Sequence, residues 1–422
     1  MYGSKNARHD AFYILVFVAM AVGVGAIAVG YARIFEIFER GAKDILRLHP
    51  GAFLVSCPVF FWLGAAIVRR FEPEARGSGP YHIVKALQAL EAEGGENLAE
   101  ARKHLSTRTS LVTMLSSWLG ALGGMSLGRE APTVQITAGF AASVGLKCRR
   151  WLPNVDLHSW IVAGAAGGLA AAFNTPLGGV AFALEELSKV HLNRLRPYIF
   201  TSIIIAGLTA KVLQGPYFSF AIGRLVDPSL ATVLPAALMG VFCGALATLL
   251  FLVWRFLSRL ERRLDNFSRN LWPIVAGLCV GLIGYHYGPR TFGGGVRFLE
   301  YVFTEPGAAH LGLAEVVGRF FGTIFSASSG IAGGTLAPML AVGSGLGTLV
   351  EHTGIFGPLA PHLLAILGMT AFLSATLSAP LTAVILVQEI TDQPNLVIPL
   401  FAAALSAALA HKLITDLFKQ NQ

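Results

Sequence analysis

Charge is scarce in this sequence. Asp, Glu, Lys and Arg make up only 13% of the 422 residues, 54% are apolar, and the mean hydropathy is +0.62. A soluble domain of that length needs far more charge to cover its surface, so lipid must be a large part of the solvent. Cysteine is scarce as well. Cys57, Cys148, Cys243 and Cys279 have no metal-ligand spacing and lie mostly in apolar stretches, which predicts free thiols and excludes a disulfide framework. The 11 histidines are scattered without ligand spacing, so neither a metal nor any other cofactor is expected. Also missing are the alternating ten-residue segments of a transmembrane barrel.

What is present are long apolar runs. Phe12–Tyr31, Ala231–Trp254 and Leu363–Val387 can each cross about 30 Å of hydrocarbon as helices. Backbone groups in lipid must be satisfied internally, so the expectation is an all-α, polytopic protein of the cell membrane. The formal charge of +8 comes from Lys and Arg spread over the ends of the runs rather than gathered in a patch. That pattern fits membrane-flanking charge and argues against nucleic acid. Lys5, Arg8 and His9 precede the first run as in a signal peptide, with Ala26-Ile-Ala28 as a nominal cleavage site. That run of about 20 residues exceeds the roughly 7–15 of a signal, predicting a retained first helix.

The chain repeats itself. Gly164 leads to Pro176 and Glu185 as Gly368 leads to Pro380 and Glu389, with 12 residues from Gly to Pro and 9 from Pro to Glu in both. Upstream, Gly128-Arg-Glu-Ala-Pro132 matches Gly334-Thr-Leu-Ala-Pro338, and the two prolines of each half are 44 and 42 residues apart. Gly77-Ser-Gly79 pairs more weakly with Gly293-Gly-Gly295. Two homologous halves are expected, at about 12–215 and 231–412, or 1–215 and 216–422 as whole segments. Apolar segments interrupted by Gly and Pro in matching places of two halves mark a midplane binding site in transporters. Pro132, Pro176, Pro338 and Pro380 suit the first turn of a helix, with Asn174 or Thr175 and Ser378 as N-caps. Such helices, begun inside the membrane, aim positive ends at an anion. The charged stretch Arg255–Arg269, with five basic and two acidic residues, belongs inside the cell. Arg33–Arg47, with four and three, is undecided, which tilts the reading towards inversion of the halves.

Glu130 is an ionisable residue between apolar stretches, where charge is expensive and therefore functional by default. At a helix N-terminus its carboxylate takes the place of an anion, and protonation removes its claim on that place. The bland alternative is a buried pair with Arg129. Glu185 and Glu186 fall about 15 Å along a helix from Pro176, far enough to reach an aqueous face and collect protons. Ser78 offers a hydroxyl donor between two glycines. Thr335 and Leu336 offer backbone N–H groups at the next helix start. Glu389 reads as an interfacial charge.

Together these motifs resemble the CLC family of chloride channels and chloride/proton antiporters, in its prokaryotic form without a C-terminal regulatory domain. Gly77-Ser-Gly79 is similar to the family's first anion-binding motif, Gly128-Arg-Glu-Ala-Pro-Thr-Val-Gln135 to its second and Gly334-Thr-Leu-Ala-Pro338 to its third. Ala172 to Glu186 is similar to its proline-led helix with paired glutamates. The resemblance implies an inverted repeat with broken, tilted helices. It also implies a homodimer with a pathway in each subunit, chloride and protons as substrates, and a bacterial inner-membrane location if the source is prokaryotic. It implies anion binding by Ser78, Gly79, Arg129, Glu130, Thr335 and Leu336, with Glu130 as outer gate and Glu186, beside Glu185, as inner proton carrier. The pattern departs from the family at Ala131, where glycine is usual, at Pro80-Tyr81, and at Leu336, where an aromatic is usual. The family's last-helix tyrosine is missing, and Phe418 or Lys419 falls nearest its place.

Antiport is thus the leading expectation, favoured by Glu186, with passive chloride conduction as its rival on the same fold. A fluoride-selective relative is disfavoured by Ser78 and the intact Gly-Arg-Glu segment. A remote alternative is an intramembrane serine hydrolase, because Gly124-Met-Ser126-Leu-Gly128 matches a nucleophile elbow. That motif needs a strand-turn-helix and a base in reach, and the sequence around it offers neither.

Overall fold

The computed structural model describes residues 4–77, 79–91, 98–187, 197–215, 225, 230–304 and 309–420, with the side chains at its segment ends set aside. In the first half α1 (Ser4–Leu48), α2 (Pro50–Phe71), α3 (Pro80–Glu91), α4 (Leu98–Leu105), α5 (Thr107–Leu122), α6 (Glu130–Cys148), α7 (Leu157–Phe173), α8 (Pro176–Phe182) and α9 (Pro197–Gln214) follow in order. The second half has α10 (Val233–Arg263), α11 (Asn266–Tyr287), α12 (Val296–Thr304) and α13 (Leu313–Ser328). It continues with α14 (Leu336–His352), α15 (Leu363–Leu377), α16 (Pro380–Thr391) and α17 (Val397–Gln420). Apart from α4, each helix of one half has a counterpart in the other. Among the described residues the only extended pairing is two isolated bridges, Gly77 with Ala332 and Gly128 with Gly334. Six helices among the described residues are long and apolar enough to cross a membrane, and the protein is a multi-pass membrane protein. Ala26 and Ala28 lie inside α1, which runs unbroken past the nominal cleavage site.

The most buried helices are α7 and α15. In α7 every residue from His158 to Phe173 is buried, and in α15 every residue from Leu363 to Ala375. A helix apolar all round has no face to give to water and sinks to the centre. Small residues bring neighbours close: Gly343 of α14 and Gly368 of α15 leave no room for a Cβ on either, each backbone carbonyl lying against the other glycine. Such contacts between small residues are how helices associate without a hydrophobic driving force. Polar starts are capped where the chain enters, by Ser106 to the N–H of Thr109 at 3.0 Å and Asp156 to the N–H of Ser159 at 3.0 Å.

The halves are inverted, and two contacts establish it. The carboxylate of Glu261, near the end of α10, accepts from Arg76 at 2.8 and 3.3 Å, just beyond the end of α2. Glu39, near the end of α1, accepts from the N–H of Gly294 beyond α11 at 3.3 Å. Since α2 and α11 each cross back, α1 and α10 finish on opposite faces. Arg69, Arg70, Arg255, Arg259, Arg262 and Arg263 crowd the face where α2 and α10 end, which by the positive-inside rule is the cytoplasmic one. The repeat extends to the backbone. Gly77 and Gly79 have φ of +74° and +113°, Gly293 and Gly295 +78° and +100°, while Asn174 and Ser378 sit at +56° and +54°.

Candidate anion site at the converging helix tips

The turns before α6 and α14 meet head to head. The Gly128 N–H donates to the Gly334 carbonyl at 2.6 Å and the Gly334 N–H returns a bond to Gly128 at 2.9 Å. Both helices therefore begin in one region and turn their first-turn N–H ends towards it, the arrangement that suits an anion. Gly77 joins through its bridge to Ala332, which brings the loop before α3 to the same point. The Ala131 methyl is the wedge between them. A Cβ on Gly79 or on Gly334 would each fall 2.6 Å from Ala131 Cβ, so this junction closes only with glycine at both places. Gly79 has a second reason to be glycine, its φ of +113°.

Glu130 opens α6 and is 1% exposed. Its carboxylate folds back over Gly128, where a Cβ would collide with Oε2 and come 3.3 Å from the Pro338 ring of α14. The carboxylate thus sits at the meeting of the two tips. Outside it opens a cavity of about 290 Å³ lined by α1 and by the loop before α12, with Glu130 and Arg129 on its wall. The Arg129 guanidinium pairs with Glu36 at 2.5 Å and donates to the Ala32 carbonyl at 3.1 Å. Arg129 is therefore braced on α1, and its backbone is the N-cap of α6. Thr335 is the N-cap of α14 and Leu336 its first residue. Ser78 lies outside the described residues.

On the cytoplasmic side Leu336 borders a void of about 10 Å³, with Phe173, Phe182, Leu373, Leu377 and Thr382 among its walls. That is room for one water at most. Phe418, the residue nearest the family's tyrosine in sequence, is half-exposed in the last turn of α17 and does not line this void. α17 runs on as one helix to Gln420, with Phe418 in its last turn. The rings beside Leu336 are Phe173 and Phe182.

The starts of α8 and α16 also differ from expectation. Pro176 and Pro380 do open these helices, yet Asn174 and Ser378 are left-handed linkers, and Thr175 makes no side-chain cap bond. The caps come from the opposite half. Glu185 accepts from the N–H groups of Leu381 and Thr382 at 3.0 and 2.7 Å and from the Thr382 hydroxyl at 2.8 Å. Glu389 accepts from the N–H of Gly178 at 3.0 Å. Each proline-led helix is thus capped by the glutamate of its repeat partner, and only α6 and α14 converge on the junction. Glu185 is committed to α16, whereas Glu186 shares the π turn Ala183–Leu187, which packs against α3 and α7.

Ser126 is fully buried and its hydroxyl meets that of Thr323 at 3.0 Å, while its N–H donates to Ser326 at 2.9 Å. It sits in the turn between helices α5 and α6, without the strand a nucleophile elbow needs.

A family model described as voltage gated chloride channel matches residues 59–412. The chain belongs to this family. Among its relatives, the H(+)/Cl(-) exchange transporter ClcA of Vibrio cholerae is 32% identical, over 95% of this chain and 87% of the relative. ClcA of Klebsiella pneumoniae is 33% identical, over 85% and 75%. A slow cyanobacterial Cl-/H+ antiporter shares the fold with a TM-score of 0.82 at 23% identity, over 97% of both chains. A CLC-type fluoride/proton antiporter does so at 0.77 and 22%, over 94% of this chain and 95% of its own. Family membership and fold agree with the motif-based expectation.

Sequence reasoning missed Glu36, Glu39 and Arg319. Arg319 of α13 is 1% exposed and donates to the carbonyls of Arg290, Gly293 and Phe292 at 3.1, 3.3 and 2.9 Å, fixing the loop that walls the outer cavity. A single buried arginine in an apolar helix was the available signal.

Proposed function

We propose that the protein exchanges chloride for protons across its membrane, with Glu130 as the outer gate. The observation that carries this reading is the place of the Glu130 carboxylate, at the Gly128–Gly334 junction and on the wall of the outer cavity. Ionised, it fills the spot to which the tips of α6 and α14 offer N–H groups. Protonated, it has no charge to hold there, and a halide takes its place. One group then serves as gate and proton carrier, which couples the two fluxes. Ser78, Gly79, Thr335 and Leu336 coordinate the anion on the inner side of Glu130, and Arg129 adds positive charge while braced by Glu36. Because Glu185 caps α16, Glu186 is the group that takes protons from the cytoplasmic side. The two units of the repeat are 1–215, with a cytoplasmic N-terminal segment, and 216–422, and two copies of the chain assemble as a homodimer.

In vesicles of purified protein, a chloride gradient drives protons uphill, recorded as pH beside chloride. Chloride flux with no proton movement sinks the exchange reading and leaves passive conduction, the rival favoured by the lack, among the described residues, of a tyrosine lining the void beside Leu336.

A further inference from the structure

Besides Glu130 the outer cavity is lined by Glu36, Glu39 and Glu300, and the cycle gives Glu39 no role. Glu39 of α1 has its side chain 13% exposed, and Oε1 pairs with Lys43 Nζ at 2.6 Å. Oε2 accepts from the N–H of Gly294 at 3.3 Å. The contact with the glycine loop is close, since a Cβ on Gly293 would come 2.6 Å from Oε1. Both Glu39 and Gly294 line the cavity that reaches Glu130.

The loop itself is the repeat counterpart of the one that carries Ser78. Its glycines have the same left-handed dihedrals. It docks on the opposite half in the same way, the N–H of Gly293 donating to the Met125 carbonyl at 3.0 Å where Gly77 bridges to Ala332. It too leads into a short helix, α12 in place of α3. In the first half this device faces the inner side of the junction, and inversion turns its copy to the outer side. The copy holds a carboxylate, with Lys43 against it and Arg129 and Arg319 within electrostatic range. A carboxylate whose two oxygens bond a lysine and a glycine-loop N–H has the surroundings a halide would need.

We infer that Glu39 is an outer plug: its carboxylate occupies an anion subsite made by the Gly293–Gly295 loop and Lys43, and an entering chloride takes its place one step outside Glu130. The inference rests on the anion-exchange reading above. It assigns Glu39 the control of how readily chloride is captured from outside, while the coupling of chloride to protons stays with Glu130.

The test is chloride-dependent flux in vesicles holding the protein in one orientation, with chloride varied on one face at a time. Glu39→Ala empties the subsite and lowers the half-saturating outer chloride by about threefold or more, the scale of one lost ion-pair competitor, with the inner value and the proton-to-chloride ratio unchanged. Lys43→Gln, which keeps a donor for Glu39 and weakens the subsite, raises the outer value by about twofold or more. Equal shifts on both faces, or no shift in Lys43→Gln, overturn the inference. The second variant also decides the matter if Glu39→Ala does not fold. Wild-type vesicles that pass no chloride would instead sink the exchange reading itself.

Discussion

Gly334→Ala tests the junction most quantitatively. The added Cβ would lie 2.6 Å from Ala131 Cβ and 2.9 Å from Ala131 N, and the latter is backbone that cannot rotate away. Carbon contacts relax near 3.5–4.0 Å, so the two tips must part by about 1 Å. The bridge bonds, 2.6 and 2.9 Å in the native junction, would then stretch past hydrogen-bonding range. Overpacking costs about 1–3 kcal/mol and each buried bond about 1 kcal/mol, so a loss of about 3 kcal/mol is expected, together with most of the chloride flux. Ala131→Gly removes the 2.6 Å contact and leaves the one to N. The double variant should therefore recover about 1 kcal/mol or more beyond additivity, the signature of residues in contact. Gly79→Ala meets the same methyl, yet its φ of +113° keeps it strained whatever stands at 131. Heat unfolding in detergent beside chloride flux ranks the variants. Gly334→Ala with native stability and flux, or with no relief from Ala131→Gly, would refute the packing described.

Two further outcomes are expected. Glu185→Ala removes three bonds from the start of α16, one of them from the Thr382 hydroxyl, and should destabilise by about 2–3 kcal/mol, more than Glu389→Ala, which removes only backbone bonds from the start of α8, that from Gly178 at 3.0 Å among them; the reverse order in detergent melts would deny the reciprocal caps. Arg319→Met frees the carbonyls of Arg290, Phe292 and Gly293 and should cost about 2–4 kcal/mol while leaving the inner half-saturation for chloride unchanged; native stability would show that the loop holds without it.

Much of the architecture was legible because glycine and proline report backbone constraint directly. Gly128 and Gly334 are spaced like their surroundings in each half, and they meet. The caps of α8 and α16 were not legible, because each acid lies about 200 residues from the N–H groups it serves and short-range rules look only at neighbours. Those rules pointed to Asn174 and Ser378, which in fact turn the chain between helices. Glu36 and Glu39 stand in a charged stretch that reads as a membrane flank, and only the fold turns that part of α1 towards the cavity. The setting of Phe418 was not legible for a related reason: alignment by sequence position carries no information on whether the last helix bends back.

The central claim is that a halide and the Glu130 carboxylate compete for one place between the tips of α6 and α14. The direct measurement is anomalous scattering from bromide in crystals of Glu130→Gln beside the parent protein. Bromide is expected at the carboxylate's position, within contact of the first turns that begin at Glu130 and Leu336, in the variant and not in the parent. Bromide absent from that position in both, or present there in both, would contradict it.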